Sequence, residues 1–258
     1  MQNPLDMQGR LVIVTGGARG VGAGITRSFL EAGADVVVIG RSAPETPVSS
    51  GAREAGFQAA DVRDPEQVSA AFAAIHASYG RIDVLVNNAG GSPYAESATA
   101  SPRFAESVIR LNLLAPLNAA QCANRVMQQQ ASGGVIINIA SVSAIRPSPG
   151  TAAYGAAKAG LVNLTTSLAV EWAPKVRVVA VISGLVETEQ SHLHYGDAEG
   201  VAAVGRTIPL GRMAVPADIG QTCLYLASPL ASYVSGSALT VHGGGEAPAF
   251  LSASNAGH

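Results

Sequence analysis

Short, mostly apolar runs rich in β-branched residues recur along the chain, each separated from the next by enough residues for a connecting element. They fall at 11–15, 34–40, 58–62, 82–86, 135–140, 177–182 and 238–241. None shows the apolar–polar alternation of a strand with one wet face. A strand that is apolar on both sides must be covered on both sides, and the intervening segments are long enough to do so. Helices are expected from the glycine-rich turn after residue 15 to about residue 32, and over 65–79, 102–130, 152–172 and 216–227. Pro65 suits a first helical position and Gly80 a helix end. The expected fold is therefore α/β, a doubly wound sheet of about seven parallel strands with helices on both faces. No Pro/Gly linker divides the chain and no internal repeat is found, so residues 1–258 read as a single domain.

The first run leads through Thr15-Gly16-Gly17-Ala18-Arg19-Gly20-Val21-Gly22 straight into a helix. Glycines there let the backbone turn tightly and approach a pyrophosphate, while the N–H groups and dipole of the helix start hold its charge. A plain strand–helix turn and a methyltransferase-type loop for S-adenosylmethionine are rival readings. Position on the first strand favours a dinucleotide and a Rossmann-type sheet. An NAD site ordinarily has Asp or Glu at the end of the second strand. Here that strand closes on Val38-Ile39-Gly40-Arg41-Ser42. Glycine stands where an acid would repel a 2′-phosphate. Arg41, and Arg19 in the turn, can grip one through charge-assisted hydrogen bonds. NADP(H) is the expected cofactor; two solvated loop arginines are the bland alternative.

Among the 16 basic residues only Lys158 and Lys175 are lysine. Lys158 ends Tyr154-Gly155-Ala156-Ala157-Lys158, so the phenol and the ammonium share one face near a helix start. A phenol of pKa about 10 exchanges protons poorly at neutral pH, and a neighbouring ammonium would lower that value toward use as a general acid/base. A surface Tyr–Lys pair is the plain alternative, and Lys175 reads as an ordinary surface charge. Ser141 follows a strand at the edge where open α/β sheets bind ligands, and its hydroxyl can hold a carbonyl oxygen beside Tyr154. Asn112 interrupts a run of leucines in the long helix, where such a side chain can simply bond its own backbone. Asn87-Asn88-Ala89-Gly90 ends the fourth strand at the same edge.

Together these residues resemble the short-chain dehydrogenase/reductase family over about residues 8–245, leaving 246–258 as a C-terminal tail. The matching motifs are TGGARGVG at 15–22, ADV at 60–62, NNAG at 87–90, Asn112, Ser141, YGAAK at 154–158, PLGRMAVPADIG at 209–220 and SGSALTVHGGG at 235–245. The resemblance implies that Tyr154 is the general acid/base and Lys158 its pKa tuner and ribose anchor. Ser141 would orient the carbonyl, and Asn112 would hold a water in a proton relay. It further implies cofactor contacts from Gly16, Arg19, Gly20, Val21, Gly22, Arg41 and Ser42. Asp61 and Val62 would flank the adenine, Asn88, Ala89 and Gly90 its ribose, and Val186 and Thr188 the nicotinamide amide, with Tyr154 and Lys158 completing the set. The implied reaction interconverts a carbonyl and a secondary alcohol by hydride transfer. Ketones, 3-oxoacyl thioesters and cyclic or steroid-like alcohols are the candidate substrates. A dinucleotide-binding regulator or scaffold without turnover is the alternative, against which the complete Asn112, Ser141, Tyr154 and Lys158 set speaks. A homo-oligomer, tetramer or dimer, is also implied, and Gly155, Ala156, Ala157, Ala159 and Gly160 make a small-residue helix face that a second subunit could approach.

Three departures stand out. Ser183-Gly184 replaces the family's usual Pro-Gly after the sixth strand. His242 replaces an Asp and reads as a structural or subunit-contact position. Residues 42–56 are too broken by Pro, Ser and Gly for the helix that normally joins strands two and three, so the adenine side would be open or covered by a loop.

Composition narrows the partners. A net charge of −2 with 13% charged residues argues against nucleic acid and anionic membranes. The longest apolar stretches, such as 178–186 with its Ser and Gly, fall short of the roughly 18–20 residues a membrane span needs. MQNPLDMQGR has neither an apolar h-region nor a cleavage pattern, so a cytoplasmic location is expected. Cys122 and Cys223 sit in apolar helical contexts and read as buried free thiols, with a disulfide as the other option. Glu187, Glu189, His192, His194 and Asp197 crowd one span, yet a His-x-His on a loop lacks a second cluster and no metal is expected. The span falls where the resemblance places the family's mobile substrate lid, and the two histidines would line the substrate pocket. Ile145, Pro147, Pro149, Leu185 and Leu193, in the loops at 92–100, 142–150 and 185–207, lean toward a largely apolar small-molecule substrate.

Overall fold

The computed structural model describes residues 3–249 and 253; the rest of the tail expected at 246–258 lies outside the described residues. Seven strands, β1 (Leu11–Thr15), β2 (Asp35–Gly40), β3 (Gly56–Ala59), β4 (Val84–Asn87), β5 (Gly134–Ser141), β6 (Val176–Ser183) and β7 (Ala238–Val241), form one sheet in the order β3-β2-β1-β4-β5-β6-β7. Every pairing in it is parallel. The helices are α1 (Gly20–Glu31), α2 (Pro65–Tyr79), α3 (Pro102–Ile109), α4 (Ala115–Met127), α5 (Ala152–Glu171), α6 (His192–Tyr195), α7 (Ala198–Arg206) and α8 (Pro216–Ala227).

The continuous apolar strands are explained by the two layers they touch. From β1, Leu11 and Ile13 pack with Val68, Phe72 and Ile75 of α2 and with the small residues and Met127 of α4. Val12 and Val14 face the other way, onto Ile25 and Phe29 of α1 and onto Ile219 and Leu226 of α8. Successive side chains of a strand leave on opposite faces, so each must be apolar to bury, and each fully buried Val, Leu, Ile or Phe is worth about 1.5–3 kcal/mol. The two cysteines are free and lie in opposite layers, Cys122 with α2 and Cys223 with α1, so the sheet itself keeps them apart. No helix among the described residues is long and apolar enough to cross a membrane.

Several boundaries differ from the sequence reading. The strand expected at 58–62 is Gly56–Ala59, because Asp61 has already turned out of the sheet: its N–H donates to Gln67 Oε1 and its carbonyl accepts from Asp64 N–H, at 3.0 Å each. The helix expected at 102–130 is interrupted by a π turn at Arg110–Leu114. The 42–56 connection holds no helix, as expected, but contains a two-stranded antiparallel hairpin, Ser49–Ser50 with Arg53–Glu54. The lid segment contains α6 and α7, which periodicity did not single out. Part of the small face of α5 is used within the chain. A Cβ at Gly160 would stand 3.2 Å from Leu113 Cδ2 and one at Gly155 2.9 Å from Ser143 O, whereas Ala156 and Ala159 are exposed.

The end of the sheet opposite the ligand edge is anchored by Asp83. Its buried carboxylate accepts from the Leu11 N–H (2.9 Å), from Arg10 Nη1 (2.9 Å) and from Arg81 Nε and Nη2 (2.6 Å each). Burial alone would raise its pKa; the bonds from Arg81, the Leu11 N–H and Arg10 outweigh it and hold the group below the ordinary carboxylate value. A carboxylate with a depressed folded-state pKa stabilises the fold above its unfolded value, and that stability is lost as pH falls through the folded one. Asp83→Asn is therefore expected to cost about 2 kcal/mol at pH 7, since it unpairs two guanidinium groups. Urea unfolding should show this cost constant down to about pH 4 and shrinking only below that; an unchanged midpoint at pH 7 would refute the anchor.

Candidate active site

The strand order reverses between β1 and β4, and the turns leaving these two strands are sewn together. Thr15 Oγ1 accepts the N–H groups of Asn88 (3.0 Å) and Ala89 (3.1 Å), while Asn88 Nδ2 donates to Thr15 O (3.0 Å) and Gly16 O (3.2 Å). Only glycine fits at position 22, where a Cβ would stand 2.2 Å from Gly16 O. Beside this junction opens a cleft of about 740 Å³. Toward the β3 edge it is lined by Arg19, Arg41, Ser42, Asp61, Val62 and Arg63. Gly16, Gly20, Val21, Gly22, Asn88, Ala89 and Gly90 line its middle, with Thr188 and Glu189 among the lid residues. Tyr154, Lys158 and Ser183 stand toward β6. This is the ligand edge of an open α/β sheet at its topological switch point.

The donors in the middle suit a pyrophosphate. Helix α1 has neither a capping side chain at Arg19 nor an acid in its first turn. Its first closing bond runs from Ala23 N–H to Arg19 O at 3.1 Å, so the N–H groups of Gly20, Val21 and Gly22 precede any helical partner. An anion is the natural complement of such a helix start, and a dinucleotide fits the residues present. On the β3 side Arg63 grips Asp61 through Nε and Nη2. The Arg63 guanidinium holds the Asp61 carboxyl below its ordinary range despite burial, and the charge of Arg41 adds to the effect. Sequence reasoning missed Arg63, whose signal was its place directly after the ADV motif.

At the other end Tyr154 and Lys158 project from the first turns of α5, with Lys158 Nζ 5.6 Å from the Tyr154 ring centroid. The direction of the Tyr154 pKa differs from the sequence expectation. Burial raises it, and what opposes burial is a hydrogen bond with Ser141 rather than the ammonium. Lys158 is itself buried, which brings its pKa down to about 8, and its Nζ donates to Ile139 O at 2.8 Å. Ser141 Oγ accepts the Ser143 N–H (3.2 Å), so its own proton is left for Tyr154 or a ligand oxygen.

Asn112 does not line the cleft; it is fully buried in the π turn. Its Nδ2 donates to Gly91 O and Val108 O, and its Oδ1 accepts Gly91 N–H, all at 2.9 Å. With both amide protons committed, its side chain cannot donate to a water. A water would have to use the Asn112 carbonyl, which lacks its ordinary helical partner because Pro116, four residues on, has no N–H. Gly90 joins this group to the lysine, since a Cβ there would stand 2.7 Å from Asn112 Oδ1 and 3.2 Å from Lys158 Nζ. Val186 is the cofactor residue the structure leaves off the cleft lining; it bridges to Ala214 instead.

Three of the crowded lid residues are engaged separately. Glu189 Oε1 accepts the Gly20 N–H (3.1 Å), His192 Nδ1 lies 3.0 Å from Glu189 O, and Asp197 caps α7 through Gly200 N–H (3.0 Å). Among the described residues no group of three or more His, Cys, Asp or Glu side chains could hold a metal ion. Lys175 is exposed and donates to Gln128 O (2.7 Å).

Comparison with known proteins points one way. Residues 16–246 match the family model described as enoyl-(acyl carrier protein) reductase. The chain is 38% identical over 251 residues to a 3β-hydroxysteroid dehydrogenase of Eggerthella lenta, covering 93% of this chain and 94% of that protein. It is 36% identical over 249 residues to a 3-oxoacyl-acyl-carrier-protein reductase of Chlamydia trachomatis, covering 92% and 99%. Among solved structures, the ligand-free aldohexose dehydrogenase of Thermoplasma acidophilum superposes with a TM-score of 0.86 at 30% identity, covering 93% of this chain and 94% of that one.

The buried lysine has a measurable consequence. A lysine whose pKa is lowered on folding, here from 10.5 to about 8, opposes folding while charged, and the fold gains stability as pH rises from about 8 toward the unfolded value. Lys158→Met should stabilise the protein at pH 7 by on the order of 1–3 kcal/mol, the removed burial penalty less the lost bond to Ile139 O. The gain should shrink between pH 8 and 10 in denaturant melts. A variant less stable at pH 7, with no pH dependence, would contradict this.

Proposed function

The chain belongs to the short-chain dehydrogenase/reductase family, and we propose that it is an NADP(H)-dependent oxidoreductase interconverting a carbonyl and a secondary alcohol. The observation that carries this reading is Tyr154, hydrogen-bonded to Ser141 and backed by buried Lys158, at one end of a cleft whose other end presents Arg19 and Arg41; Ser141 itself stands off the cleft lining. When bound, the dinucleotide supplies or accepts the hydride; the chain supplies position and protons. Ser141, fixed by the Ser143 N–H, holds the carbonyl oxygen. Tyr154 gives its phenolic proton to the oxygen as negative charge develops there. A phenol kept protonated by burial suits the reductive direction at neutral pH. Lys158 holds a positive charge next to that oxygen and can donate to a ribose hydroxyl. The Asn112 carbonyl, whose i+4 position is Pro116 and so offers it no N–H, holds the water through which the proton is resupplied.

The preference for NADP(H) rests on Gly40, where an acid would select NAD, and on Arg41 and Arg19, neither of which makes a side-chain hydrogen bond or a salt bridge among the described residues, Arg41 acting on Asp61 only through its charge. Arg63 is already committed to Asp61, so Arg41 is the available grip for a 2′-phosphate. Exposed Ile145, Leu193 and Leu210 support a largely apolar substrate. The hydroxysteroid and 3-oxoacyl activities in the relatives' names fit that class. Exposed Ile109, Leu114 and Val170 on α3–α5 support a homo-oligomer.

A panel of ketones, 3-oxoacyl thioesters and steroid alcohols, followed by nicotinamide absorbance with NADPH and NADH, tests the activity. Tyr154→Phe is expected to lower turnover by about 100-fold or more while dinucleotide binding is retained; a fully active variant would overturn the mechanism. Binding of NADPH with no turnover on any carbonyl or alcohol would favour a regulator. Arg41→Asp should move the NADPH/NADH preference toward NADH by about tenfold or more, and unchanged selectivity would remove the 2′-phosphate argument.

A further inference from the structure

Two acidic side chains line the cleft, Asp61 and Glu189. Asp61 is neutralised by Arg63. Glu189 has no ion pair among the described residues, and its carboxylate instead takes the Gly20 N–H at 3.1 Å, across a separation of 169 residues. Gly20 is the first residue of α1, and the helix offers that N–H no local cap. The lid is folded down around this contact. Thr188 N–H donates to Ser191 Oγ (2.9 Å), His192 Nδ1 sits on Glu189 O (3.0 Å), and Thr188 Cγ2 would stand 3.6 Å from a Cβ at Gly20. A carboxylate thus already holds part of the seat that a pyrophosphate would need.

We propose that Glu189 is a positioning residue that occupies the pyrophosphate seat on α1 until the dinucleotide displaces it, so that cofactor binding and the placement of the 185–207 segment are coupled. The inference rests on the dinucleotide reading above. One N–H of the first turn cannot serve a carboxylate and a phosphate at full strength together, and two anions on one helix start repel. The dinucleotide therefore binds against the loss of the Glu189 contact, which raises its dissociation constant. By linkage, the ligand that takes the seat releases the tether that holds the segment to α1. Glu189 acts on the affinity for the cofactor and on the lid, not on the reacting atoms.

Titration of the full chain with NADPH, followed by nicotinamide fluorescence, should give dissociation constants about three- to tenfold lower for Glu189→Gln and Glu189→Ala than for the wild type. The cofactor KM should fall by more than kcat changes. Adenosine 2′-monophosphate, which has no 5′-phosphate, should bind all three proteins equally. Without dinucleotide, chymotrypsin should cut after Leu193 or Tyr195 faster in Glu189→Ala than in the wild type, because the tether is gone. Unchanged or weaker NADPH binding by both variants, with the wild type binding normally, would overturn the proposal and leave the cofactor reading intact. An equal gain for adenosine 2′-monophosphate would overturn it too, reducing Glu189 to a general charge effect. If the wild type binds neither NADPH nor NADH, the cofactor reading falls and the proposal with it.

Discussion

The cleft depends on the close approach of two turns at the place where the strand order of the sheet reverses. Thr15 Oγ1 collects the N–H groups of Asn88 and Ala89, and Asn88 Nδ2 returns two bonds to the β1 turn. Four bonds between turns more than seventy residues apart leave little freedom in their spacing, and Gly22 removes the side chain that would wedge them open. The start of α1 is thereby fixed against Gly90. Gly90 in turn is where Asn112 from the π turn and Lys158 from α5 meet. One polar seam thus sets the distance between the anion seat at the middle of the cleft and the Tyr154 hydroxyl at its end.

Much of this was legible in the sequence because it is written in local residue types. Runs apolar on both faces demand a two-layer cover wherever they occur, and the parallel seven-stranded sheet follows from them. Glycines at 16, 20 and 22 and the Tyr154–Lys158 spacing likewise carry their geometry with them. The π turn was not legible. It moves a helix by one residue without changing the kinds of residue that line its faces, and the cues, Asn112 and Pro116, each have innocent readings. The direction of the Tyr154 pKa was misjudged for a related reason. Proximity to a lysine can be read from spacing, but burial is set by β5, α5 and their loops together, and here burial wins. Glu189 stood in plain view as one acid of a crowded segment. That it reaches Gly20 follows only from how the lid folds, which no spacing encodes.

Lys158 brings stability and chemistry into opposition. An ammonium buried to 3% exposure, with a single carbonyl partner, is an expensive group that a fold keeps only if something else requires it. The requirement comes from the site: a compact charge that can serve both a ribose hydroxyl and the oxygen on which negative charge develops must sit inside, near Tyr154. Arginine, which supplies nearly all the other positive charge of the chain, cannot substitute there. Its planar fork needs more room and more acceptors than Ile139 O provides beside Gly90.

Charge is therefore distributed along the cleft by function rather than by balance. At the adenine side Asp61 and Arg63 cancel each other, which leaves Arg41 as an unspent cation. In the middle, the partial positive charge of α1 is met by Glu189. At the reacting end Lys158 remains an ammonium without a carboxylate partner. An extended polyanion whose phosphates fall at the first two places, and whose reactive ring lies at the third, complements this pattern along its whole length. A ligand without the phosphates of the middle would gain part of the complementarity and leave Glu189 seated. On the proposed reading, discrimination between a whole dinucleotide and its fragments is thus built into the same contact that holds the lid.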